Sequence, residues 1–290
     1  MKKLLYTFIA ISFTSVALLA QDDSKSVRFG VFGRATPTWY SMPTNNNYSK
    51  GGAIFGAGFG LNMEFRVTNV VSFQTGVGGD FDGGKIKYVD NNLGYANTNN
   101  YFTGYYLDKT PALVEIKGTS PSDPAYNNGT TTAHFLTSRQ IHTTYVTIPL
   151  ILKMKTKEIS GFKYFVDFGA NVGVLASAKA DDNTNDLVGY TITGVPITTS
   201  GSNKGLSIYK DCNPVRVGLN VGGGAEFRLA GTTSIFLSVN YVNSFISTVK
   251  TTSVYNATGV TTNPNNQSAF VYASQSFKTN GIQVNVGFLF

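Results

Sequence analysis

Residues 215–229, VRVGLNVGGGAEFRL, place an apolar or small residue at every second position, with Arg216, Asn220, Glu226, Arg228 and glycines between them. One face of such a strand is apolar and the other charged. Strands of soluble proteins usually run about five or six residues. About fifteen residues at about 3.3 Å each is long for a soluble strand and enough for a tilted strand to cross a membrane within a barrel.

The period of two recurs along the chain, so it describes an architecture. Val27, Phe29, Val31 and Ala35 alternate with Arg28, Gly30 and Arg34, and Phe55, Ala57, Phe59, Leu61, Met63 and Phe65 alternate with Glu64, Arg66 and glycines. Val71, Phe73, Val77 and Phe81 oppose Ser72, Gln74, Asp80 and Asp82; Val146, Ile148, Leu150 and Leu152 oppose Tyr145, Thr147 and Lys153. Tyr164, Val166, Phe168, Ala170, Val172 and Val174 oppose Asp167, Gly169 and Asn171. After the strand at 215–229, Ile235, Leu237, Val239 and Tyr241 oppose Ser234, Ser238 and Asn240; Ile282, Val284, Val286, Phe288 and Phe290 oppose Gln283, Asn285 and Gly287. The expectation is an all-β protein: a closed antiparallel transmembrane barrel of eight strands.

Residues 1–20 read as a signal peptide, with Lys2 and Lys3 ahead of an apolar stretch and Ala20 before the expected cleavage point. Residues 21–290 are then the barrel domain. Beyond this segment no apolar run reaches the roughly eighteen residues of a membrane helix. An exported chain of amphipathic strands can instead close in the outer membrane, where closure satisfies every strand edge. Loss of Lys2 and Lys3 takes the formal charge from +7 to +5. The cations are scattered through strands and loops and lack interleaved aromatics, which argues against nucleic acid as a partner. The surplus suits loops that approach anionic lipopolysaccharide. Cys212 is the single cysteine. It permits no internal disulfide and reads as a small loop or strand-end residue.

Connections alternate in length. The long ones span 41–51, 90–138, 179–212 and 250–275; the short ones lie at 67–70, 156–161 and 230–232. This places long loops outside the cell and short turns in the periplasm. Trp39, Tyr40, Phe81 and Tyr241 then form an aromatic belt beside the long loops, and Phe29, Phe65, Tyr164, Phe227 and Phe288 the opposite one. A soluble barrel of this size would turn its apolar residues inward. Export and strand length favour the membrane.

With apolar residues facing lipid, Arg28, Arg34, Glu64, Arg66, Asp80, Lys153, Asp167, Arg216, Glu226 and Arg228 point into the lumen. Eight strands enclose just enough space for side chains to fill, so these groups are expected to pair across the interior and not to line a pore. A lipid-modifying enzyme would need a nucleophile and base in contact. His142, with Ser138 and Thr144 near it in sequence, is the candidate, and ordinary Ser- and Thr-rich composition accounts for that proximity. The run Asp181, Asp182, Asn183, Thr184, Asn185, Asp186 resembles a calcium loop, but it has no glycine at the sixth position and Ile192 stands where a closing glutamate belongs; a solvated turn is expected. Gly222, Gly223 and Gly224 lie within a strand and relieve crowding. No catalytic residue, metal or cofactor is assigned.

The fourth strand, with Tyr145, Ile148, Pro149, Leu150 and Lys153, resembles the Tyr-x-x-Ile-Pro-Leu strand of the PorT-like outer-membrane barrels of Bacteroidetes. Residues 60–76 are similar to that family's second hairpin, and Gln21 to its residue after cleavage. Pro149 cannot donate a ladder hydrogen bond, so a bulge or locally unpaired site is expected there. The resemblance implies an outer-membrane, OmpX-like barrel and, through the family's namesake, an alternative role as an accessory component of type IX secretion. The expected role is noncatalytic, with contacts to envelope or secretion-complex proteins made by the long loops, for which Tyr101, Tyr105, Tyr106 and Tyr126 are the candidate residues.

Overall fold

The computed structural model describes residues 27–43, 48–88, 101–106, 112–117, 133–190, 196–262 and 268–290. The expected signal peptide and Tyr126 lie outside them. The strands are β1 (Val27–Ser41), β2 (Tyr48–Gly52), β3 (Ile54–Arg66), β4 (Val71–Tyr88), β5 (Tyr101–Tyr106), β6 (Ala112–Lys117) and β7 (Ala133–Lys155). They continue with β8 (Phe162–Tyr190), β9 (Pro196–Ser207), β10 (Val215–Ala230), β11 (Thr233–Ser244), β12 (Thr252–Thr262), β13 (Ser268–Ser274) and β14 (Lys278–Leu289). Hydrogen-bonded pairing runs β1, β3, β4, β7, β8, β10, β11, β14 and back to β1, every neighbour antiparallel. This is the closed eight-stranded barrel expected from the alternation.

Its outer surface is apolar. Phe55, Phe59, Val146, Ile148, Leu150, Phe168, Val239 and Val286 are all exposed, Phe55 to 78%, and a contiguous apolar exterior of this extent belongs in hydrocarbon. Short turns close one end. Ser160 (φ 51°) and Gly161 (φ 84°) both adopt the left-handed conformation between Ile159 and Phe162, as a two-residue type I′ hairpin requires. At 67–70 the Thr68 hydroxyl accepts from the backbone N–H groups of Val70 (3.3 Å) and Val71 (3.0 Å).

At the other end the walls outgrow the membrane. A transmembrane strand needs about 9–11 residues, whereas β7 has 23 and β8 has 29. The paired upper halves of β7 and β8 are flanked by β9, which pairs with β8, and by the β5–β6 hairpin, which pairs with β7; β2 covers the end of β4. Within the expected long connections, residues 101–106, 112–117, 133–138, 179–190 and 196–207 are therefore sheet. Asp181 to Asp186 are strand and not a solvated turn: they lie within β8, opposite β7.

A one-residue bulge interrupts β8 on the way to that extension. Thr144 pairs with Ser177 but Tyr145 pairs with Leu175, so Ala176 is an extra residue and the side-chain parity of β8 reverses across it. Below the bulge odd-numbered residues such as Phe165 and Asp167 face inward; above it Ala178, Ala180 and Asp182 do.

Pro149 has the expected effect. The β4–β7 ladder runs from Val71↔Met154 to Gln74↔Ile151 and resumes in the same register at Gly78↔Thr147. The unpaired interval is centred on Pro149 and Gly76, while Pro149 keeps its place opposite Asn171 on the β8 side. The proline thus yields a locally unpaired site without a bulge.

Candidate functional site

Polar side chains fill the lumen in two ionic layers. In the layer nearer the short turns, Arg28 Nη1 donates to Glu226 Oε2 at 3.0 Å and its Nη2 to the Ser234 hydroxyl at 2.5 Å. Lys153 Nζ lies 2.7 Å from Glu226 Oε1 and 3.7 Å from Glu64 Oε2. Lys155 Nζ lies 2.8 Å from Glu226 Oε1 and donates to Glu64 Oε1. The Lys153 ammonium also sits 3.7 Å from the centre of the Phe165 ring, a cation–π contact in a nearly dry setting. These bonds tie β1, β3, β7 and β10 together across the interior.

The layer nearer the long loops is built on two aspartates of β4. Arg216 Nη1 donates to Asp82 Oδ2 at 2.5 Å, and its Nη2 to Asp80 Oδ2 at 3.3 Å. Arg34 Nη1 lies 3.3 Å from Asp80 Oδ1. Thr147 donates to Asp80 at 2.8 Å and Thr143 to Asp82 at 2.7 Å. In the two layers Arg28, Lys153, Lys155, Arg34 and Arg216 are matched in number by Glu64, Glu226, Asp167, Asp80 and Asp82. Charge balance of this kind is what lets ions persist away from water.

An asparagine relay runs from Asp167 on β8 across β10, β11 and β14. Asn240 Nδ2 donates to Asn220 Oδ1 at 2.9 Å and lies 3.4 Å from Asp167 Oδ2. Asn285 Nδ2 donates to Asn240 Oδ1 and to the Ser238 hydroxyl, both at 3.1 Å. A cavity of about 40 Å³ lies among these groups, lined also by Asn62, Asp167 and Asn171. It is large enough to take water and too small for a solute path. The Gly222 and Gly224 positions allow this packing: a Cβ at Gly222 would meet the Val239 carbonyl and one at Gly224 the Leu237 carbonyl, closer than any real contact.

Above the ionic layers the barrel interior turns apolar. Tyr40, Ile86, Ile141, Tyr145, Leu175, Ala178 and Ala180 pack with Ile208, Cys212, Val249 and Phe277 from the connecting segments. Tyr145 marks the boundary, with the Arg216 guanidinium 4.0 Å from its ring centre. Burial pushes the Cys212 thiol up to about 12. Beyond the apolar layer, Arg139 and Asp182 form a buried bidentate pair, with both distances 2.6 Å.

Of the expected lumen residues, Arg28, Arg34, Glu64, Asp80, Lys153, Asp167, Arg216 and Glu226 are enclosed, and Arg66 and Arg228 are not. Both share the inward parity but occupy exposed strand ends at the short-turn rim, where Arg228 Nε donates to the Gly231 carbonyl at 3.0 Å. Parity assigns a side of the sheet and not a depth. Tyr40 is likewise corrected: it is 1% exposed inside the barrel and does not join the outer belt. Sequence reasoning missed Lys155, whose place at the end of the β7 alternation was the available signal, and the Arg139–Asp182 pair, which lies beyond the parity change. Of the motif residues, Tyr145 and Lys153 face inward while Ile148 and Leu150 face out. Tyr101, Tyr105 and Tyr106 form much of β5.

His142 lies on the outer wall. Its Nε2 is 3.0 Å from Gln140 Nε2 and 3.4 Å from Asp181 Oδ2, while the Ser138 hydroxyl accepts from Asn183 Nδ2 at 3.0 Å.

An apolar exterior, a charge-balanced interior and hairpin connections define an integral β-barrel of the outer membrane. The family model for the outer membrane protein beta-barrel domain matches residues 19–250, and the chain belongs to that family. No curated protein matches it. Among solved structures, it is 10% identical to Neisserial surface protein A, with a TM-score of 0.32 over 89% of this chain and 95% of that one. It is 11% identical to the attachment invasion locus protein Ail of Yersinia pestis, with a TM-score of 0.28 over 92% of this chain and 100% of that one. A major outer membrane protein from Thermus thermophilus is 11% identical, with a TM-score of 0.34 over 92% of this chain and 100% of that one.

Proposed function

We propose that this outer-membrane barrel is noncatalytic and works through its long-loop end, which contacts envelope components or extracellular partners. The observation that carries the reading is the filled lumen: two neutral ionic layers under an apolar layer leave the projecting sheet as the available working surface. Binding residues collect on segments held by a rigid scaffold. The β5–β6 hairpin, with Tyr101, Tyr105 and Tyr106, and the β8–β9 hairpin are the leading contact elements, and Tyr126 belongs to the same connection in sequence. The Ser138 hydroxyl accepts from Asn183, and His142 faces Gln140 and Asp181, which supports a noncatalytic use of both residues. Unchanged lipid A acylation in a strain lacking the protein is expected.

The finer assignment to PorT-like barrels of Bacteroidetes is supported by the residue 145–153 motif, and export with cleavage after Ala20 by Lys2, Lys3 and the apolar stretch that follows them. Affinity purification from native outer membranes tests the function. A partner retained by the wild-type chain and lost when residues 101–117 are replaced by a short turn supports it. Equal recovery from both chains removes these contact elements. Co-purification of secretion components, with cargo retained in the deletion strain, would instead assign the accessory role in type IX secretion.

A further inference from the structure

The outer wall above the apolar band is unevenly charged. Lys85 and Lys87 of β4, His142 of β7 and Lys179 of β8 are all exposed. Register brings three of them together: His142 lies opposite Lys179, and Lys85 lies opposite Gln140, two residues along β7 from His142, while Lys87 lies one outward position further up, opposite Ser138. Directly opposed side chains start about 5 Å apart and diagonal ones about 7–8 Å apart. Asp181, opposite Gln140, supplies a negative charge beside them, and the lysines outnumber it. The outward direction of Lys179 follows from the Ala176 bulge, which reverses the parity of β8 below it.

Height on the barrel identifies what this cluster meets. Lys85 is four residues beyond Phe81 and His142 four beyond Val146, each of those apolar residues being exposed in the band below. Four residues are about 13 Å of strand and, with the usual tilt of about 40°, about 10 Å of height. That is the headgroup layer, into which lysine side chains extend their ammonium groups. In the facing sector of β11, β14 and β1 the corresponding outward residues are Tyr241, Trp39 and Ser41, with Lys278 at a strand end.

We propose that Lys85, Lys87 and Lys179, with His142, form a patch on the barrel wall that binds the phosphate groups of a phosphorylated glycolipid in the outer leaflet. Lysines on β4 and β8, with the His142 imidazole on the strand between them, complement a headgroup bearing more than one phosphate, whereas a phospholipid with a single phosphate engages only part of the cluster. The patch rests on the reading that the long-loop end is extracellular, and it gives the lipid contact a definite place.

The test uses the barrel purified from outer membranes in detergent, with native mass spectrometry reading its binding of bisphosphorylated lipid A, dephosphorylated lipid A and phosphatidylglycerol. Wild type should prefer the bisphosphorylated form. Each lysine contributes about fivefold near an anionic headgroup, so K85Q/K87Q/K179Q should weaken binding about a hundredfold, and K85R/K87R/K179R should retain it. Heat-modifiable gel migration confirms that the variants are folded. Equal binding of the dephosphorylated lipid, equal binding of phosphatidylglycerol, or an unaffected glutamine variant would each overturn the proposal. Labelling of a Ser200→Cys variant on intact cells with a membrane-impermeant maleimide reports sidedness separately. Labelling with unaffected lipid binding removes the patch alone; absence of labelling removes the extracellular reading and the patch together.

Discussion

Lys153→Met tests whether the lumen is held by its charge balance. Lys153 is 2% exposed, and its Nζ lies 2.7 Å from Glu226, 3.7 Å from Glu64 and 3.7 Å from the Phe165 ring centre. Methionine keeps most of the volume and the contact with the aromatic ring, so the change removes mainly charge. Glu64, Glu226 and Asp167 are then left facing Arg28 and Lys155, one cation short. Removing one partner from a buried ion pair costs about 3–5 kcal/mol. Equilibrium unfolding in guanidinium, followed through the fluorescence of the single tryptophan, Trp39, gives the readout. For an m-value of about 4 kcal/mol/M, a loss of about 4 kcal/mol lowers the midpoint by about 1 M. The Lys153→Met/Glu226→Gln double variant restores neutrality and should recover at least half of that loss. A single variant with the wild-type midpoint, or a double variant weaker than the single, would refute the reasoning.

Ile148→Arg places a charge on the lipid face near mid-membrane and should destabilise the barrel by about 2–4 kcal/mol in the same assay; a neutral result would mean that this wall does not meet hydrocarbon. Cys212 should resist maleimide at pH 8 in the folded barrel and react fully in denaturant, because its thiol is buried and raised to about 12, and the reactive species is the thiolate. Gly224→Val should fail to reach the heat-modifiable folded form, since its Cβ would meet the Leu237 carbonyl. In planar lipid bilayers the wild-type barrel should give no discrete conductance steps, and regular steps would contradict a filled lumen.

The strands were legible because lipid outside and polar groups inside impose a two-residue period on each wall. That signal stops where the environment changes. Above Ala176 both the parity and the chemistry of the inward face reverse, so Ala178, Ala180 and Asp182 present no continuous pattern and the upper half of β8 reads as loop. Arg66 and Arg228 show a second limit: alternation gives direction, whereas depth depends on where the strand meets the rim. Lys155 illustrates the converse, a strand-end residue whose long side chain reaches back to Glu64 and Glu226. The Pro149 interval was legible because a missing donor is a property of the residue itself.

The lumen ties also bear on how such a chain reaches its membrane. Arg28 on β1 and Lys153 on β7 meet at Glu226 on β10, so strands distant in the chain share one knot of bonds. A half-wound sheet handed to lipid would carry bare ammonium and carboxylate groups into oil. Closing the cylinder spares these groups that cost, so the ion ties favour the sealed form over an open sheet wherever the wall meets lipid.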